Sequence, residues 1–79
     1  MFEDAFTAAI KAEYALTFFY VKDWSNPKDA MLRTFSPWEV SDGTVLGWDH
    51  DRGAIRRFVF DNVPQEPVRY DFDHYVRPS

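Results

Sequence analysis

Two arginines stand in strand-like runs in which every second residue is aromatic or apolar. Arg33 is in phase with Phe35, and Arg56 is in phase with Phe58, because residues two apart in a strand share a face. A guanidinium offers forked donors that suit a phosphate, and aromatic rings offer stacking surfaces for a base. We predict a basic and aromatic rim that could bind a nucleotide or single-stranded nucleic acid. Its candidate ligand-binding residues are Tyr20, Arg33, Trp48 and Arg56.

The same arginines have a structural interpretation that the sequence leaves open. An arginine beside an apolar core normally pairs with an acid and directs its charged end outward. Asp49 and Asp61 stand at the ends of neighbouring runs and could be those partners. The two interpretations differ in what surrounds Arg33 and Arg56, which is either an open pocket or a paired carboxylate.

Metal binding and covalent catalysis have little support in the residue pattern. Asp49-His50-Asp51 contains metal-ligand types, as does the group of Asp71, Asp73 and His74, but adjacent strand residues point to opposite faces. The chain has no Cys, and no Ser, Thr or His lies in a nucleophile motif. We therefore predict no metal site, no cofactor and no catalytic residue, and we expect a binding module rather than an enzyme.

Size and charge limit the remaining possibilities. The 79 residues suffice for one domain, and 13 acidic against 9 basic residues give a net charge of −4. An acidic chain is a poor candidate for a nucleic-acid binder that uses its whole surface. No apolar run is long enough for a membrane span, and the first residues are acidic rather than signal-like. We therefore expect a cytoplasmic protein with no membrane partner.

The elements that must position these residues follow from periodicity. Phe2, Phe6 and Ile10 recur at helical spacing, whereas the later runs alternate with a period of two. Asp42-Gly43 and Asp51-Arg52-Gly53 are turn sequences between those runs. We predict one domain over residues 1–79, with a helix at 2–14, strands at 15–22, 32–40, 44–50 and 54–62, and a tail at 73–79 that frays. Such a meander forms a small barrel or bent sheet, and an open sheet covered by the helix is the competing architecture.

The order of short motifs between Ala5 and Val63 resembles the WYL domain family. The motifs follow an amphipathic helix and are Phe18-Phe19-Tyr20, Arg33-Thr34-Phe35-Ser36-Pro37, Gly47-Trp48-Asp49 and Arg56-Arg57-Phe58-Val59-Phe60-Asp61. The chain departs from the family at its namesake Trp-Tyr-Leu, where it has Gly43-Thr44-Val45-Leu46. It also has Asn62 where the family often has an arginine.

The resemblance implies both a fold and a role. The implied fold is mainly β with one N-terminal helix, as an Sm-like, SH3-like small antiparallel β-barrel. The implied role is a non-enzymatic, ligand-sensing regulatory module, here a stand-alone phage or bacterial form without a helix-turn-helix domain. Its expected ligand is a nucleotide or single-stranded nucleic acid, and its expected partner is a host or regulatory protein.

A second function from another class remains open. The chain could be a structural or protein–protein interaction domain that forms homo-oligomers and takes no small ligand. Trp24 and Trp38 motivate this alternative, because tryptophan dominates interface hot spots. The edges of a small sheet also invite pairing, so we expect a homodimer.

Overall fold

A computed structural model describes residues 2–26, 30–71 and 74–78 of the chain. Within these ranges one helix precedes five strands, one more than the four that the periodicity predicts. The elements are α1 (Glu3–Ala12), β1 (Leu16–Tyr20), β2 (Met31–Ser41), β3 (Thr44–Asp49), β4 (Ala54–Val59) and β5 (Val68–Arg69), with a 3-10 turn at Phe60–Asn62 after β4. The predicted mainly β chain with one N-terminal helix is therefore confirmed.

The five strands form one antiparallel sheet in the order β4-β3-β2-β1-β5. The sheet is not closed into a barrel, since no ladder joins β4 to β5 among the described residues. It curls strongly nevertheless, because the hydroxyl of Tyr20 accepts a hydrogen bond from the Val59 N–H at 3.1 Å. The Val21 N–H also donates to the Asn62 carbonyl at 2.8 Å, which ties the end of β1 to the 3-10 turn.

The helix α1 is amphipathic and packs its buried residues, Phe6 and Ala9, against the sheet. Two acids in its first turn, Glu3 and Asp4, complement the positive end of the helix dipole. It ends at Glu13, whose φ of 56° places it in the left-handed region, so the helix is shorter than the predicted range of 2–14. With 10 residues it is not a membrane span, and the described ranges contain no helix long and apolar enough to be one.

A cluster of aromatic rings fills the space between α1 and the sheet. Phe58 packs edge-to-face on Phe18 at 5.5 Å and on Phe35 at 5.0 Å between ring centroids. Phe60 packs on Phe6 of the helix at 5.2 Å. Phe58 and Phe60 are both buried, as their shared phase predicts, although Phe60 belongs to the 3-10 turn rather than to a strand. We call the face of the sheet that carries this cluster the inner face.

Strand β2 contains an irregularity next to Pro37, where the sequence predicts a bend. Pro37 pairs with Gly47 of β3, and the register then shifts between Pro37 and Glu39. Proline has no N–H to donate to the ladder, so a bulge here costs little. At the same place the two backbones approach so closely that only glycine fits on β3. A Cβ on Gly47 would overlap the Ser36 carbonyl oxygen and lie 2.7 Å from the Phe35 ring.

We expect Gly47→Ala to lower the free energy of unfolding by about 2 kcal/mol. The added methyl group meets backbone atoms of β2, which cannot move without disturbing the ladder. Urea denaturation followed by circular dichroism measures the change, with exposed Ser41→Ala as the control. Equal midpoints for the two variants would contradict the close approach.

Residues 74–78, which belong to the tail predicted to fray, lie against the outer face of β2; residues 73 and 79 of that tail lie outside the described residues. The Val76 N–H donates to the Ser36 hydroxyl at 3.0 Å, and the Trp38 indole N–H donates to the Val76 carbonyl at 2.6 Å. The Tyr75 hydroxyl donates to the Pro37 carbonyl at 2.7 Å. The expectation of a frayed tail arose because these partners lie far away in sequence and leave no local pattern.

Candidate functional site

Three of the four predicted site residues share the inner face, and the fourth does not. Tyr20, Arg33 and Arg56 are in phase with Phe18, Phe35 and Phe58, which form the core. Trp48 pairs across β3 and β4 with Ile55, on the opposite, outer face. The predicted rim is therefore not assembled as one surface, because Trp48 is separated from the other three by the sheet itself.

Arg33 forms a buried ion pair with Asp49. Its Nη1 lies 3.6 Å from the Asp49 Oδ2, and the two side chains are 8% and 0% exposed. The other oxygen of Asp49, Oδ1, accepts the backbone N–H groups of Asp51 and Arg52 at 3.0 and 3.4 Å, so the same carboxylate also organises the β3–β4 turn. The Arg33 guanidinium lies 5.9 Å from the centre of the Phe58 ring. For Arg33, the structural interpretation therefore holds.

The ion pair is incompletely hydrogen-bonded within the described residues. Arg33 Nε and Asp49 Oδ2 are both buried, and neither has a hydrogen-bond partner there. Each of these two buried charges is stabilised mainly by the other, because neither is solvated by water. The pair therefore matters to stability mainly through the penalty for losing one member.

Tyr20 uses its hydroxyl to close the curl of the sheet. Its oxygen accepts the N–H of Val59 at 3.1 Å and a side-chain N–H of Asn62 at 3.3 Å. Its ring packs on Phe58 at 4.7 Å. The Asn62 side chain in turn accepts the indole N–H of Trp24 at 3.1 Å. Tyr20 thus links β1 to the end of β4 and does not present its hydroxyl to a ligand.

Arg56 differs from Arg33 in having no acidic partner among the described residues. It lies opposite Gly47 and is half-buried, and within the described ranges it forms no hydrogen bond or ion pair. Asp61, the second acid considered for this role, is exposed and makes no ion pair among the described residues. Arg56 is therefore the predicted site residue that remains available to an anion.

Ser36 and His50 form a contact that the sequence analysis missed. Ser36 Oγ and His50 Nε2 are 2.7 Å apart. Burial lowers the pKa of His50 and the nearby His74 lowers it further, whereas Asp51 and Asp49 raise it. A serine beside a neutral histidine resembles a nucleophile beside its base, but this hydroxyl is fully buried. It also accepts the Val76 N–H, so the contact links β2, the β3–β4 turn and residues 74–78.

A small cavity lies away from all four predicted site residues. It has a volume of about 200 Å³ and is lined by Glu13, Tyr14, Arg69, Tyr70, Asp71, His74 and Tyr75. The Arg69 guanidinium stacks over the Tyr14 ring at 4.4 Å, and Arg77 binds Glu13 at 2.8 Å beside it. Its arginine and one of its two acids, Glu13, are thus engaged by the chain itself.

The described residues contain no group of three acidic or histidine side chains that could hold a metal ion. Within Asp49-His50-Asp51, the Asp49 side chain faces Arg33, the His50 ring faces Ser36, and the Asp51 carboxylate accepts the Thr34 N–H. These three side chains are thus directed to different protein partners. The other cluster considered includes Asp73, which lies outside the described residues.

Comparisons of the chain with protein-family models, with curated proteins and with solved structures found no match. The resemblance of residues 5–63 to WYL domains accordingly stays a prediction.

Proposed function

We propose that this chain is a non-enzymatic protein–protein interaction module that pairs with a second copy of itself. The supporting observation is an apolar area on the outer face of β1, β2 and β5, which we call the outer patch. Its large side chains are unusually exposed, with Phe19 at 40%, Leu32 at 54% and Val68 at 67%. Exposed apolar side chains that lie together mark interaction sites more often than isolated ones do.

The strand register makes the outer patch continuous. Phe19 lies directly opposite Leu32 across β1 and β2. Thr17 lies opposite both Thr34 on one side and Val68 on the other. Side chains directly opposite each other in a sheet share a face and touch, so these five uncharged residues form one surface, which the Asp51 carboxylate borders at Thr34.

A second copy suits the outer patch because of charge. Each chain carries a net charge of −4, so two copies repel each other over most of their surface. A neutral patch is the surface on which this repulsion is weakest, and a two-fold axis through it would place equivalent residues in contact. Both tryptophans considered as anchors have a bound indole N–H, Trp24 to Asn62 and Trp38 to Val76, but the Trp24 side chain remains 54% exposed.

A ligand-binding role is the second candidate, and Arg56 supports it. The charge of Arg33 is neutralised by Asp49, and the Tyr20 hydroxyl already accepts a hydrogen bond from the Val59 N–H. Of the predicted site residues, Arg56 is the one whose guanidinium has no ion pair within the described part of the chain. If the WYL resemblance extends to ligand recognition, a nucleotide phosphate would bind here, and Arg56→Lys would weaken that binding because lysine lacks the fork.

We also propose that the curled sheet is an Sm-like, SH3-like small barrel. An Sm-like, SH3-like barrel is a short antiparallel meander curled until its ends meet. The Tyr20–Val59 and Val21–Asn62 hydrogen bonds support this, because they connect β1 to the end of β4 across the core. The fold is then an incompletely closed barrel, joined at one end by side-chain and turn contacts rather than by a ladder.

Leu32→Glu tests the proposed self-association. Wild-type chain is expected to form dimers at high micromolar concentration in sedimentation equilibrium. Placing a carboxylate in the outer patch of each copy should weaken the dimer at least about tenfold, because two charges would be desolvated facing each other. The matched control is Ile55→Glu, which adds the same charge at a site that is 58% exposed and lies outside the outer patch.

Two results would contradict the proposal. One is wild-type chain that remains monomeric at the highest concentration measured. The other is an equal loss of association in Leu32→Glu and Ile55→Glu, which would indicate net charge rather than the outer patch. Thermal melts of both variants verify that neither change acts through unfolding.

A further inference from the structure

Strand β4 has a free edge. It pairs with β3 along Thr44–Asp49, and no described strand pairs with its other side. A strand edge of this kind presents unpaired backbone groups to any other extended segment. The free edge of β4 is separate from the outer patch, which involves β1, β2 and β5.

The hydrogen-bond pattern identifies which backbone groups face that edge. In an antiparallel pair, residues alternate between bonding to the partner strand and pointing away from it. The Phe60 N–H bonds to Gly43, on the β3 side, whereas the Val59 N–H points away and reaches Tyr20. By the same alternation, the N–H and C=O groups of Ile55 and Arg57 point outward. Tyr20 covers the Val59 N–H, so the open part of the edge comprises Ile55 and Arg57.

The side chains along the edge are basic and apolar, in contrast to the chain as a whole. Arg56 and Arg57 lie within β4 and Arg52 lies just before it, whereas the nearest acids, Asp51 and Asp61, lie beyond the two ends of the strand. The whole chain has a net charge of −4. Ile55 is exposed on the outer face between these arginines. A basic strand in an acidic chain attracts negatively charged partners locally.

We infer that the free edge of β4 binds an extended acidic peptide segment of another protein by strand addition. The backbone groups of Ile55 and Arg57 would pair with the segment, which supplies one further strand to the sheet. Acidic side chains at alternate positions of the segment would face Arg56 on the inner face, and the apolar side chains between them would pack on Ile55 on the outer face.

A second copy of this chain is a poorer occupant of the same edge. Pairing of β4 with β4 would bring arginines of both copies together, and like charges directly opposite each other destabilise a sheet. A nucleic acid could satisfy the arginines, but it could not pair with the alternating N–H and C=O groups of a strand edge. The acidic peptide alone matches the charge, the apolar residue and the backbone groups.

Fluorescence anisotropy with a short labelled peptide of alternating valine and glutamate tests the inference. The titration uses the Leu32→Glu chain, so that self-association through the outer patch does not affect it. We expect saturable binding that weakens with added salt. A matched peptide with N-methylated valine amides keeps every charge but loses the backbone donors, and it should bind at least about tenfold more weakly. A peptide with lysine in place of glutamate should not bind.

A substitution in β4 tests the same backbone hydrogen bonds from the side of the protein. Ile55→Pro removes an N–H that points away from β3, so the β3–β4 ladder keeps its hydrogen bonds. It should reduce peptide binding at least about tenfold, whereas Ile55→Ala, which keeps the N–H, should reduce it less. If Ile55→Pro does not fold, the N-methylated peptide tests the same hydrogen bonds on the unaltered edge.

Three results would overturn the inference. The first is equal binding of the N-methylated and unmodified peptides, because the interaction would then be charge alone. The second is binding that survives the exchange of glutamate for lysine. The third is a short single-stranded oligonucleotide that displaces the peptide at lower concentration than unlabelled peptide does. None of these bears on self-association, which sedimentation of the wild-type chain decides separately.

Discussion

Phe58→Ala is expected to lower the free energy of unfolding by about 3–5 kcal/mol, which approaches the whole stability of a small domain. The Phe58 side chain is 1% exposed. Its ring contacts Phe18, Phe35 and Tyr20, with centroids 4.7 to 5.5 Å apart. Alanine would leave a cavity that these rings cannot fill, because β1 and β2 hold them in place. Chemical denaturation followed by tryptophan fluorescence and circular dichroism measures the loss.

Phe19→Ala is the control for this experiment. It removes the same atoms from β1, but Phe19 lies on the outer face and is 40% exposed. Measured at low micromolar concentration, where the outer patch is unpaired, the loss should be smaller than for Phe58→Ala, at about 1–2 kcal/mol, since part of the Phe19 ring is already exposed. Similar midpoints for Phe58→Ala and wild-type chain would mean that β4 faces the other way.

Asp49→Asn is expected to lower the free energy of unfolding by about 3 kcal/mol. Asparagine keeps an oxygen that can accept the N–H groups of Asp51 and Arg52, so the β3–β4 turn is retained. What it removes is the negative charge beside Arg33, whose guanidinium would remain buried without a counter-charge. Urea denaturation at neutral pH measures the change.

The double variant Arg33→Met, Asp49→Asn separates charge from shape. Removing both charges also removes the desolvation penalty, so the double variant should recover most of the stability lost in Asp49→Asn. A double variant less stable than Asp49→Asn would contradict this account. It would mean that Arg33 contributes through packing on Phe58 rather than through the ion pair.

Most of the fold follows from periodicity, and the differences occur where contacts are long-range. The helix, the strand order along the chain and the buried phase of Phe58 are all visible in local spacing. The predicted last strand extends to residue 62, whereas β4 ends at Val59, because the chain turns there to bring Phe60 onto the helix. No local pattern indicates that turn, since it depends on Phe6.

The candidate site was less predictable than the fold. Strand phase correctly places Arg33 and Arg56 on the core-facing side, and the pairing of Arg33 with Asp49 is one of the two interpretations that the sequence leaves open. Trp48 could have been excluded from the rim, because it is adjacent to Asp49 and must face the other way. The Ser36–His50 contact could not have been found, because it requires the β2–β3 register and the docked residues 74–78.

The docking of residues 74–78 has a consequence for the order of folding. Val76 and Ser36 are 40 residues apart, so their hydrogen bond closes a long loop. Strands β2, β3 and β4 are joined by tight turns, whose closure costs less chain entropy and is faster. The hairpins can therefore assemble first, and the segment settles onto a finished sheet. The segment is held by a few hydrogen bonds rather than by a ladder, so we expect it to open locally at lower cost than the aromatic core, which would uncover Ser36 and Trp38.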